Sequence, residues 1–81
     1  MRIVKELNRE DIKITIYSWN NKYLLKFEQG TLEQTFKIGQ TDVIDEQELI
    51  NLIDDEFTQK VRQQFDLMAV AFGQTQQRNL G

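Results

Sequence analysis

The sequence predicts an α+β fold: a three- to four-stranded antiparallel β-meander followed by two helices packed on one sheet face. Two observations carry this. From Ile12 to Ile38 apolar residues recur at every second position, the period of half-buried strands, with turn residues between the runs. After Gly39 the period becomes helical, and Phe57, Val61, Phe65, Met68 and Phe72 follow one another at spacings of 4, 4, 3 and 4.

The strands can be placed by register. In "DIKITIYSW", Ile12, Ile14 and Ile16 share one face, and Lys13, Thr15, Tyr17 and Trp19 share the other. With Asn20-Asn21 as a two-residue turn, Trp19 faces Lys22, Tyr17 faces Leu24, Ile16 faces Leu25, Ile14 faces Phe27 and Lys13 faces Glu28. Each pair agrees in character, apolar with apolar inside and opposite charges outside, whereas a one-residue slip sets Ile14 against Glu28. Asparagine tolerates the positive φ that a type I′ turn needs at both central positions.

"TLEQTFKI" alternates again, with Leu32, Phe36 and Ile38 on the inner face, after a turn at Gln29-Gly30 or Gly30-Thr31. Ahead of these runs, "RIVKEL" reads as a weaker edge strand. With "NRED" as its turn, Leu7 meets Ile12 and Ile3 meets Ile16, while Arg2, Lys5 and Arg9 discourage pairing with other chains.

The first helix is predicted to start at Asp45, an N-cap with Glu48 three residues on, and to bury Leu49, Leu52 and Ile53. One continuous helix from Glu46 to Phe72 would be about 40 Å long, so a break is expected at Asp54-Asp55, where either aspartate can cap a second helix. Gly73 is the expected C-terminal stop. The domain is thus expected to span 1–73, with 74–81 a polar, flexible tail.

Composition narrows the chemistry. The 81 residues include no cysteine, which excludes disulfides, thiolate nucleophiles and zinc-thiolate sites, and no histidine, the usual general base at neutral pH and the commonest nitrogen ligand. No nucleophile motif, phosphate loop or dinucleotide fingerprint occurs, so neither catalysis nor a cofactor is expected. The acidic run from Asp42 to Glu56 lacks the spacing of a calcium loop, since Gln47 stands at the sixth position counted from Asp42. Helix caps account for it, and no metal site is expected. With no apolar run near the roughly 18 to 20 residues needed to span a bilayer, and no signal-peptide core in "MRIVKELNRE", a cytoplasmic protein with no membrane contact is expected.

Charge is unevenly spread. Residues 1–37 carry seven basic and five acidic side chains, 38–56 seven acidic and none basic, and 57–81 three basic and one acidic. The net charge of −3 argues against nonspecific duplex binding, which depends on neutralising phosphates.

The candidate interaction surface is the outer face of the 12–28 hairpin, where Tyr17, Trp19 and Leu24 stand beside Lys22 and Lys26. Such a face suits a homodimer or a protein partner, and also a single strand of nucleic acid stacked on the aromatics. The stretch "KITIYSWNNKYLLKFEQGTLEQTFK" resembles a group of short bacterial proteins to which no function is attached, so that resemblance implies nothing about the site. Strands followed by a helix also resemble, in topology, the single-strand-binding fold of the Whirly family, whose basic strand loops have no residue-for-residue match here. The expected function is a non-catalytic interaction module, homodimeric, with single-stranded nucleic-acid binding as the alternative.

Overall fold

The computed structural model describes residues 1–80. Four strands, β1 (Arg2–Arg9), β2 (Ile12–Trp19), β3 (Lys22–Gln29) and β4 (Leu32–Gly39), form one antiparallel sheet in the order β1-β2-β3-β4. A single 3-10 turn at Gln40–Asp42 leads into two helices, α1 (Glu46–Leu52) and α2 (Asp55–Leu80). The α+β meander with two following helices is therefore the fold.

The central hairpin has the expected register throughout, from Lys13 opposite Glu28 to Trp19 opposite Lys22. Asn20 and Asn21 take φ of 53° and 61°, the positive pair that a type I′ turn requires. Between β3 and β4 the turn is Gly30-Thr31, with Gln29 opposite Leu32 and φ of 59° at Gly30. That phase places Leu32, Gln34, Phe36 and Ile38 on the inner face behind Tyr23, Leu25 and Phe27.

The first strand departs from expectation. Its turn is the two residues Glu10-Asp11, so Leu7 lies opposite Ile14 rather than Ile12, and Arg9 takes the place opposite Ile12. Leu7 stays inside, because the shift is an even number of residues. Glu10 carries φ of 59°, an uncommon conformation for a residue with a long side chain. A bulge between Ile3 and Lys5 then reverses the alternation, placing Ile3 opposite Tyr17 on the outer face instead of opposite Ile16 on the inner one. Val4 packs against the core in its stead.

The inner face supplies Ile12, Ile14, Ile16, Tyr23, Leu25 and Phe27, and the helices close it with Leu49, Ile53, Val61 and Phe65. Phe27, Phe36 and Phe57 meet edge to face with ring centroids 5.3 to 5.8 Å apart, an arrangement that suits the ring quadrupoles. Leu52 is not part of this core; it is 44% exposed.

Both helix starts are capped by aspartate. Asp45 Oδ1 accepts the Glu48 amide at 3.0 Å, and the Glu48 carboxylate reaches back to the Ile44 amide at 3.1 Å. Asp54 Oδ1 accepts the Phe57 amide at 2.8 Å, which restarts the helix after Ile53. The expected break is present.

The expected stop at Gly73 is not. α2 continues through Gly73 to Leu80, so residues 74–80 are helical; of the tail as expected, only Gly81 lies outside the described residues. Glycine inside a helix costs about 1 kcal/mol relative to alanine, a cost borne within the overhang. There Thr75 Oγ1 donates to the Ala71 carbonyl at 2.9 Å, and Asn79 Nδ2 donates to the Thr75 carbonyl at 2.8 Å. At 26 residues α2 is about 39 Å long, against about 26 Å for an eight-residue strand, and it gives the molecule its 48 Å long axis.

Its course follows from its contacts. Phe57 meets Phe36, Gln34 donates to the Val61 carbonyl at 3.0 Å, and Arg62 reaches the Glu10-Asp11 turn. α2 thus runs beside β4 toward the Gly30-Thr31 end of the sheet and overruns it. A Cβ at Gly73 would meet nothing within 4 Å. Gly73→Ala is accordingly expected to favour the helical overhang by about 1 kcal/mol and to raise the helical signal in far-ultraviolet circular dichroism. A reduced helical signal would show that Gly73 is not in a helix.

Candidate interaction surface

Because both helices lie on the inner face, the outer face of the sheet is bare. Cross-strand register assembles it in rows. Ile3, Tyr17, Leu24 and Lys37 form one row across all four strands, and Glu6, Thr15, Lys26 and Thr35 form the next. Asn8, Lys13, Glu28 and Glu33 form a third, while Trp19 and Lys22 close the face at the Asn20-Asn21 end.

All five residues singled out from the sequence, Tyr17, Trp19, Lys22, Leu24 and Lys26, lie on this face. Trp19 is 49% exposed and Lys22 is exposed, whereas Tyr17, Leu24 and Lys26 are half-buried by their neighbours. Thr15 is the exception on the face, buried to 1%.

The two lysines are not equivalent. Lys26 Nζ lies 3.4 Å from Glu33, and the negative charge of Glu28 first, then that of Glu33, holds its ammonium above the usual lysine range. It is already neutralised within its own sheet. Lys22 stands at the hairpin end beside Trp19 and has no ion pair among the described residues.

Sequence reasoning missed Ile3, 53% exposed at the head of the apolar row. Nothing in "RIVKEL" marks the bulge that turns it outward. It extends the apolar strip Tyr17-Leu24 to the β1 edge.

Away from this face, Arg62 ties α2 to the β1-β2 turn. Its guanidinium lies 2.6 Å from Asp11 Oδ1 and 3.3 Å from Glu10 Oε2, and it donates to the Arg9 carbonyl at 3.3 Å. The hydrogen bond from Arg62, followed by one from Gln29, holds the Asp11 carboxyl below the usual carboxylate range. An open cleft of about 610 Å³ beside Arg9 and Arg62 is thus flanked by an arginine whose donors are already engaged. A second cleft of about 410 Å³ runs along the inner side of β4, between Gln34, Phe36, Phe57 and Val61.

Much of the acidic run has structural partners. Asp45 and Asp54 cap helices, Glu46 pairs with Arg2 and Glu56 with Lys60. Among the described residues no three acidic side chains converge as a metal site, and no helix is long and apolar enough to cross a membrane. No family model, curated protein or solved structure matches the chain.

Proposed function

We propose that this is a cytoplasmic, non-catalytic interaction module that works as a homodimer and presents its outer sheet face to a protein partner. The observation that carries the reading is the apolar row Ile3-Tyr17-Leu24 across an uncovered sheet face, with Trp19 half-exposed two residues further along β2. Large aromatic and aliphatic side chains on a bare face are the composition of a contact surface rather than of a solvated one.

Single-stranded nucleic acid is the second reading, favoured by the exposed Trp19 ring beside the unpaired Lys22. Against it, Lys26 is neutralised by Glu28 and Glu33, and the third row of the face carries Glu28 and Glu33. A backbone-tracking groove needs continuous positive charge.

Titrating mixed-sequence single-stranded oligonucleotide at low salt, with the fluorescence of Trp19 as readout, separates the two. The module reading expects no change. Saturable quenching that reverses with added salt would replace it with base stacking. In parallel, Tyr17→Ala with Trp19→Ala is expected to leave the domain folded; collapse of the fold would make these residues core rather than surface.

A further inference from the structure

We propose that two copies associate by antiparallel pairing of β4 with β4 about a two-fold axis at Thr35, joining both sheets into one and leaving the outer face open on each. The proposal rests on the homodimer reading above and specifies its interface.

The two edges of the sheet are unlike. β1 is interrupted by the bulge at Ile3–Lys5 and carries Arg2, Lys5, Glu6 and Arg9, devices that blunt an edge. β4 is eight residues long, pairs with β3 without irregularity, contains no proline and carries only Glu33 and Lys37 as charges. Its outer backbone groups form an intact template for another strand.

Gln29 and Leu32 flank a two-residue turn and so form a hydrogen-bonded pair; by alternation Leu32, Gln34, Phe36 and Ile38 bond toward β3. Glu33, Thr35 and Lys37 direct their N–H and C=O groups to the free edge. A two-fold pairing must therefore set these residues opposite one another.

Centred on Thr35, it sets Glu33 opposite Lys37 of the second copy, Lys37 opposite its Glu33, and Thr35 opposite its Thr35. On the inner side Leu32 meets Ile38 and Gln34 meets Phe36. Sliding by two residues in either direction moves Glu33 opposite Thr35 or Gly39 and loses both charge pairs. The charge complementarity thus selects both the occupant and the register. Lys37 has no ion pair among the described residues, and Glu33 has Lys26 on its other flank only.

One exposed feature is explained by the same register. Phe36, 38% exposed, is brought opposite Gln34 at the rim of the second copy's 410 Å³ cleft, beside Phe57 and Val61.

The test is the mass of the full chain by light scattering as a function of concentration. Wild type is expected to be dimeric. Thr35→Pro removes an N–H that points away from β3, so the sheet survives and the mass is expected to fall to a single chain. Lys37→Glu is expected to weaken association about tenfold or more, and Glu33→Lys combined with Lys37→Glu to restore it. Amide exchange gives a check that needs no variant: the amides of Glu33, Thr35 and Lys37 should be protected in the dimer and lose protection on dilution. A wild-type chain of single mass overturns the dimer reading and this interface together. A dimer that Thr35→Pro leaves intact overturns the interface alone, as do unprotected amides at these three positions in the dimer should Thr35→Pro fail to fold.

Discussion

Phe27→Ala is expected to destabilise the domain by about 3 to 5 kcal/mol, the largest effect of any single truncation, measured as a shift of the urea midpoint. Phe27 is fully buried, lies opposite Ile14 on β2 and Gln34 on β4, and touches both Phe36 and Phe57 edge to face. Its removal leaves a void bounded by two strands and α2, and a sheet cannot contract into such a space as a loop would. A chain of 81 residues has roughly 4 to 12 kcal/mol of total stability, so this single truncation removes a large fraction of the whole. A loss below about 1 kcal/mol would mean that the aromatic cluster is not the centre of the core.

Leu49→Ala is expected to cost about 2 to 5 kcal/mol of the docking energy of α1, with a different signature. α1 has only seven residues, too few to be helical alone in water, and its attachment rests on the buried Leu49 and Ile53 with the exposed Arg2–Glu46 pair contributing little. Native-state amide exchange should accelerate in α1 by roughly thirtyfold or more while β2 and β3 remain protected. Equal acceleration in the strands would show that α1 and the sheet unfold as one unit.

The central hairpin was legible because its register is over-determined: seven opposed pairs agree in character, and a slip breaks them at once. The β1 register was not, because the competing phases differ by two residues and keep Leu7 inside in either case. The bulge at Ile3–Lys5 has no glycine to announce it, and Glu10 at positive φ is a turn residue that propensity does not suggest. All five surface residues follow from the hairpin alone, as does the Glu28 charge that acts first on Lys26; the ion pair to Glu33 at 3.4 Å comes from β4 and needs the third hairpin in place.

The helical segment is instructive in another way. The length limit that implied a break at Asp54 does not hold, since α2 by itself overruns the sheet. What divides the helices is local: the Asp54 carboxylate accepts the Phe57 amide, and the Ile53 amide turns back to the Ile50 carbonyl at 3.1 Å. Gly73 misled for the converse reason. A glycine ends a helix only where the chain takes up the left-handed conformation, and Gly73 does not.

The overhang of α2 also bears on how the molecule moves through solution. A body of 48 × 26 × 18 Å tumbles and diffuses more slowly than a sphere of equal mass, because friction follows the longest dimension. On a gel-filtration column calibrated with round proteins even a single chain should therefore elute early, with an inflated apparent mass. Rotational anisotropy of Trp19 should likewise show a slow component set by the end-over-end motion of the rod.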